Sequence, residues 1–350
     1  MKKVGILTAT RTNNFGTDLQ ALAMQYIFSK YSNAELIDYQ CERLESGNRI
    51  LPRVTVKNLI KLPYALYKYI SHFLFRKHYF KFSQTKYTVN SLCDINDKYD
   101  AVVVGSDQIW NMNLTGNDVN FFLPWDNMSF KKYSYAASLG SLNVKDWDKN
   151  FKISEYLYDF ENVSVRETSG IEALSQIGIS AKEDLDPIQL LDKDDWKSFS
   201  NEGNRKPYMI IYLVETKTDK CREAIEYAKA KGLKIIRISP ITLPYKQVKT
   251  ESFVSLKKWM TLLRNAELII TDSYHGLSFS IANHVNFRLI NLSSDDKNTR
   301  SFCLLKKLSL SDFRLDINNN FDDYPNWDKV AENLREERER SLKYIEEICH

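Results

Sequence analysis

Apolar positions fall along the chain in two patterns: short solid runs, and longer stretches in which they recur every three or four residues. The first pattern marks buried strands and the second amphipathic helices. "KKVGILTA" reads as a strand, "DLQALAMQYIFSKY" as an amphipathic helix and "AELIDY" as a second strand. "YDAVVVGSDQIWN" holds another buried strand that breaks at Gly105, "KKYSYAASLG" and "ENVSVRET" add short strands, and "SGIEALSQIG" is a helix closed by Gly178. After a polar linker, "SFSNEGNRKP", the alternation restarts. Tyr208 to Val214 is strand-like, "DKCREAIEYAKAKG" is a helix stopped at Gly232, "LKIIRIS" a strand, "SFVSLKKWMTLLRNA" a helix and "ELIIT" a strand. Strands alternating with helices predict parallel α/β sheets. We therefore expect two Rossmann-like domains facing a cleft, residues 1–195 and 205–318. A charged C-terminal helix, residues 325–350, is expected to pack back on either half. A length of 350 residues suits two domains.

Composition changes this picture little, and charge changes it in one place. The hydrophobic fraction of 43% and charged fraction of 27% are ordinary for a globular protein. No apolar run nears the roughly 20 residues that span a bilayer, and "MKKVGILTATRTNNFG" turns polar too soon for a secretory signal, so the chain reads as cytoplasmic. Its five cysteines are scattered without a Cys-x-x-Cys pair, which predicts neither a disulfide framework nor a thiolate zinc site.

The net charge is +4, yet nine basic residues and no acidic one lie between Glu45 and Asp94. This excursion, residues 46–93, interleaves those cations with Tyr64, Tyr67, Tyr69, Phe73, Phe75, Tyr79, Phe80, Phe82 and Tyr87. One reading is a solvated amphipathic excursion whose aromatics pack on the first domain. Another is contact with an anionic membrane through residues 53–82, peripheral on the inner membrane face. Nucleic acid is not expected as a partner, since no recognised binding module surrounds the segment.

Candidate chemistry gathers where strands end, the place at which ligands collect in open α/β sheets. "NNFGTDLQ" follows the first strand with Asn14, Gly16, Asp18 and Gln20, and "GSDQIWN" follows "AVVV" with Ser106, Asp107, Gln108 and Trp110. "SVRE" carries Arg166, "LDP" carries Asp186, and "TDSYHG" follows "ELII" with Asp272, Ser273, His275 and Gly276. No Gly-x-Gly-x-x-Gly follows the first strand and no Gly-x-x-x-x-Gly-Lys-Ser/Thr occurs, which disfavours dehydrogenase and kinase readings. "DKD" at Asp192 to Asp194 is a weak metal pattern, and no metal is expected.

In their order, "NNFGTDLQALAM", "YDAVVVGSDQIWN", "YSYAASLG", "VSVRETSG", "LDPIQLL", "ITDSYHGLSFSIA" and Arg300 before "LLKKLSL" resemble the polysaccharide pyruvyl transferase family. The resemblance runs to about residue 310, and Tyr274 stands where the family often has Phe. It leaves out the basic aromatic excursion and the C-terminal helix. Such proteins are similar in fold to B-type glycosyltransferases. The resemblance implies transfer of the enolpyruvyl unit of phosphoenolpyruvate onto two sugar hydroxyls, giving a cyclic ketal and phosphate. Phosphoenolpyruvate would be a co-substrate, with no further cofactor, and the acceptor a sugar of a surface-polysaccharide precursor, lipid-linked if the excursion meets a membrane.

That chemistry assigns expectations to the residues. Protonating the donor methylene needs an acid that titrates near neutrality, which suits His275. Ser273 and Gly276 would help bind the donor, with Gly276 allowing close approach and a helix beginning near Leu277 offering N–H groups to an anion. Arg166 and Arg300 would hold the carboxylate and phosphate. Asp107 or Asp186 would activate the acceptor, and Asp272 would orient the imidazole or cap a helix. Asn14, Gly16, Asp18, Gln20, Ser106 and Gln108 are expected to contact the acceptor, with Trp110 stacking on sugar or lying in the core. Two alternatives stay open: a nucleotide-sugar-dependent glycosyltransferase of the same fold, and a catalytically silent scaffold subunit of a polysaccharide assembly complex.

Overall fold

The computed structural model describes residues 1–46, 56–140, 143–201, 203, 206–215, 217–239, 248–293 and 295–350, with the backbone alone for 56–61 and 295–297. Arg49 and Arg53 of the basic excursion, and Glu202, Asn204 and Arg205 of the polar linker, lie outside the described residues. The chain divides into two compact units. The first joins Met1–Arg49, Arg76–Leu190 and Glu337–His350, and the second joins Ile50–Phe75 and Leu191–Glu336.

In the first unit, β1 (Lys3–Leu7), β2 (Asn33–Tyr39), β3 (Phe82–Tyr87), β4 (Ala101–Val104), β5 (Lys131–Ser134) and β6 (Phe160–Asn162) form one parallel sheet in the order β3-β2-β1-β4-β5-β6. The solid apolar runs take the middle. "KVGIL" pairs with "AVVV" through Ile6 opposite Val103, both fully buried, as strands covered on both faces require. The edge strand β3, "FSQTKY", buries only Ser83 and Tyr87 deeply, and its polar middle hides it from a sequence reading. A small parallel pair, β7 (Ser164–Val165) and β8 (Lys182–Glu183), lies beyond β6 in sequence.

The second unit repeats the plan. β9 (Tyr208–Tyr212), β10 (Lys234–Ile238), β11 (Lys249–Glu251), β12 (Leu268–Thr271) and β13 (Phe287–Leu289) pair in parallel in the order β11-β10-β9-β12-β13. In both sheets the chain winds outward one way from a first strand and then returns to its other side. That reversal opens a crevice at the carboxyl ends of β1 and β4 in one unit and of β9 and β12 in the other.

Residues 50–75 group with the second unit, although the sequence reading attaches them to the first domain. The physical reason is aromatic: Tyr64 and Tyr67, on the helix Val56–Tyr79, meet Phe253 edge-on with centroids 6.2 and 5.2 Å apart. Arg76, the next residue of the same helix, belongs to the first unit and ion-pairs there with Asp18 at 2.8 Å.

The C-terminal helix, Trp327–Cys349, contributes to both units. Near its start Trp327 stacks on His284, with centroids 5.0 Å apart, within the second unit. Its last turns belong to the first unit, where they close a buried polar network. Ser341 donates to Asp184 Oδ1 at 2.9 Å and accepts from the Leu185 N–H, Ser164 donates to Asp184 Oδ2 at 2.7 Å, and Tyr344 donates to the Ser134 carbonyl at 2.9 Å. Buried polar groups need such partners, so the serine and tyrosine seat the helix.

Candidate active site

At the end of β12 the chain leaves Thr271 and enters the helix Tyr274–Ala282. The helix starts three residues earlier than the sequence suggests, so His275 lies inside its first turn rather than before it. Ser273 caps this end: its Oγ accepts from the Gly276 N–H at 3.2 Å, and its carbonyl accepts from the Leu277 N–H at 2.8 Å. The N–H groups expected to meet an anion are therefore taken at Gly276 and Leu277.

Asp272 does not cap the helix. Its two carboxylate oxygens accept from the backbone N–H groups of Val214 and Glu215 at 2.6 and 3.0 Å, tying the loop after β9 to the end of β12. Gly276 also has a different reason from the one expected. A Cβ there would meet Thr271 Oγ1 at 2.8 Å and Tyr212 Cδ1 at 3.1 Å, so the missing side chain lets helix and sheet approach. His275 and Ser273 stay partly exposed above this junction. The rings of Tyr274 and His275 are 5.3 Å apart, and the guanidinium of partly exposed Arg300, on the helix Asp295–Lys307, sits 5.3 Å from the Tyr274 ring. The crevice of the second sheet thus gathers an imidazole, a hydroxyl and a guanidinium.

The crevice of the first sheet lies where the β4 run stops. Gly105 takes a φ of +133°, and a Cβ at that position would overlap the Tyr135 carbonyl oxygen, so only glycine fits the break. Asp107 follows with φ +68°, a conformation aspartate tolerates better than most residues. Its partly exposed carboxylate accepts from Thr17 Oγ1 at 3.0 Å and from the Gln108 N–H at 2.8 Å. Asn14 caps the helix Phe15–Tyr31 by accepting from the Gly16 N–H at 2.8 Å, and remains exposed beside it. Gln108 accepts from Asn111 at 2.9 Å and is partly exposed.

Accessibility separates these residues from the other candidates. Gln20 and Ser106 are fully buried. Gln20 donates to Thr8, and Thr8 donates to the Ser106 carbonyl, both at 3.0 Å, so the chain of bonds ties β1, β4 and the first helix together. Gly16 is buried in the helix, and Asp18, fully buried, answers Arg76. Trp110 is core: its Nε1 donates to the Phe121 carbonyl at 2.8 Å and its ring stacks on Phe122. All five are buried within the first unit.

Arg166 and Asp186 occupy one buried cluster in the first unit. The guanidinium lies 2.8 Å from Asp186 and 3.2 Å from Glu167, and Ser138 donates to Glu167 at 2.8 Å. Asp186 also accepts from the Ile188 N–H at 2.9 Å. With side chains 2% and 1% exposed, the pair is buried and ion-paired within the first unit. Asp192 caps the helix Lys193–Ser198 by accepting from the N–H groups of Asp194 and Asp195, so "DKD" is a helix start. Among the described residues no three His, Cys, Asp or Glu side chains stand together to hold a metal ion.

Sequence reasoning missed Thr17, which holds Asp107, and Thr8, which links Gln20 to Ser106. A threonine after a strand or in a first helical turn carries no signal of such a bond. It also passed over Tyr274 as a platform for Arg300, a contact made across 26 positions of chain.

No curated protein matches the chain. Solved structures that resemble it include the UDP-GlcNAc 2-epimerase of Neisseria meningitidis bound to UDP-GlcNAc, at 9% identity and a TM-score of 0.48, covering 100% of this chain and 94% of that one. The UDP-GlcNAc 2-epimerase of Methanocaldococcus jannaschii with UDP-GlcNAc and UDP gives 14% identity and 0.44, over 96% and 99%. A spinosyn rhamnosyltransferase gives 9% and 0.44, over 100% and 96%. These are likenesses only, and no residue role transfers from them. The family model described as polysaccharide pyruvyl transferase matches residues 14–294, from the cap of the first helix to a point just short of Arg300. Since that span takes in every strand from β2 to β13, and with them most of the chain, the chain belongs to the polysaccharide pyruvyl transferase family.

Proposed function

We propose that the protein moves the enolpyruvyl unit of phosphoenolpyruvate onto two hydroxyls of a sugar in a surface-polysaccharide precursor, closing a cyclic ketal and releasing phosphate. The observation that carries this reading is the partly exposed His275 in the first turn of its helix, at the crevice of the second sheet, with Ser273 and Arg300 nearby. His275 is the general acid. It protonates C3 of the donor, C2 becomes an oxocarbenium-like electrophile, and the first sugar hydroxyl adds there. The C2–O bond to phosphate then breaks as the second hydroxyl adds. Of the two hydroxyl protons released, one restores the imidazole and the other is taken by Asp107 and leaves with phosphate.

Arg300 supplies a charge that persists at any working pH, suited to the donor's carboxylate or phosphate. Asp107 is the base for the acceptor, which binds the first unit beside Asn14 and Gln108. Thr17 Oγ1 and the Gln108 N–H hold one carboxylate oxygen each, which fixes the direction of the remaining lone pairs.

The test incubates purified protein with phosphoenolpyruvate and a panel of soluble and lipid-linked glycosides, reading phosphate release and acceptor mass. A parallel arm offers sugar nucleotides and reads nucleoside diphosphate. We expect phosphate and a heavier acceptor in the first arm alone, and nucleoside diphosphate release instead would replace this function with glycosyl transfer. His275→Ala should keep its melting midpoint and lose turnover by about a hundredfold or more. Near-parental turnover would take the acid role from His275.

A further inference from the structure

We infer that the outer face of the helix Val56–Tyr79 docks the protein onto an anionic lipid bilayer surface. The large apolar side chains at 66, 69, 70, 73 and 74 are all outward: Leu66, Tyr69 and Ile70 are each 44% exposed, Phe73 51% and Leu74 56%. The spacing i, i+3, i+4, i+7, i+8 makes them one continuous stripe, about 12 Å long at 1.5 Å per residue. Apolar residues scattered singly over a surface are ordinary, whereas a contiguous stripe marks a contact. The rings of Tyr69 and Phe73 stack within it, 10° from parallel.

This helix has already met its folding requirement on the other side. His72 and Phe75 are buried, and Tyr64 and Tyr67 pack on Phe253. The outward stripe is therefore surplus to the fold. Its charge surroundings select the occupant. Exposed Lys77 and His78 follow Leu74 by one turn, and no carboxylate occurs anywhere between Glu45 and Asp94. A second copy would bring the same cations to the contact with no carboxylate in this stretch to answer them. A bilayer with acidic headgroups answers both features: rings and aliphatic groups enter the headgroup boundary while the cations meet lipid phosphate. Among the described residues no helix is long and apolar enough to cross a membrane, so the helix lies in the plane of the surface.

The test uses the full chain and reads binding, so it stands apart from the pyruvyl-transfer reading. Protein is sedimented with vesicles of phosphatidylcholine alone and of phosphatidylcholine mixed with phosphatidylglycerol, at low and high salt. We expect capture by the mixed vesicles and release by salt. Leu66→Ser, Phe73→Ser and Leu74→Ser together should weaken capture by about tenfold or more, and Lys77→Glu alone by about fivefold. Melting midpoints should stay at the parental value, because the changes are on the surface. If the triple variant melts early, Lys77→Glu decides. Absence of capture by mixed vesicles would overturn the inference, as would variants captured like the parent. So would a triple variant that turns a dimer into a monomer in sedimentation velocity, since the stripe would then belong to a second copy.

Discussion

The guanidinium of Arg166 has two carboxylates within 3.2 Å and almost no solvent, and this decides what the residue can do. Arg166→Met leaves two carboxylates buried without their counterpart and should cost about 3–5 kcal/mol, whereas Asp186→Leu leaves the guanidinium paired with Glu167 and should cost less. Adding Asp186→Leu to Arg166→Met should recover part of that cost, because only Glu167 is then left without its cation, a difference that denaturant unfolding of the three variants would reveal. The sequence shows an arginine next to Glu167 and an aspartate before Pro187, twenty positions away, with nothing to say that they meet. His275 is the opposite case. Its place follows from a solid apolar run, a serine that can cap, and a glycine, all within nine residues, and the structure puts it in the first helical turn after β12. Local chemistry is readable along the chain, while long-range pairing is not. Gln20, Ser106, Asp18 and Arg166 all turned inward for that reason.

The helix Tyr274–Ala282 and strand β12 show what an element asks of one position. Alanine at 276 would favour the helix by roughly 0.5–1 kcal/mol over glycine. Its methyl would also sit 2.8 Å from Thr271 Oγ1, 3.1 Å from Tyr212 Cδ1 and 3.3 Å from Ser273 Cβ, which costs about 1–3 kcal/mol. The collision outweighs the propensity. Gly276→Ala should lower the melting midpoint and, by displacing the neighbouring imidazole, reduce turnover as well, both measured on one preparation. The strands β1, β4, β9 and β12 are readable because their apolar runs are unbroken. β3 and β13 are not. The first is a polar edge strand and the second has three residues, and each exists because a neighbour offers hydrogen bonds. The helix Asp295–Lys307, which carries Arg300, begins "DDKNTR" and shows no apolar period until Phe302.

At the scale of the molecule, a reading that moves along the chain assigns each stretch to the domain of its neighbours. The structure divides it otherwise, with residues 50–75 in the second unit and 337–350 in the first. Two of the crossings between units fall inside helices, between Phe75 and Arg76 and between Glu336 and Glu337, where no glycine or proline announces a boundary. A gene cut in the polar linker and ending at residue 200 should therefore give an insoluble or protease-sensitive product. It would discard Ser341 and Tyr344, exposing the Asp184 carboxylate and the Leu185 N–H at a cost of about 1–3 kcal/mol for each group left unanswered. Co-expressing the remaining fragment in trans should restore solubility. Anyone dissecting this protein into halves, for crystallisation or for exchanging halves between relatives, has to treat residues 337–350 as part of the amino-terminal half.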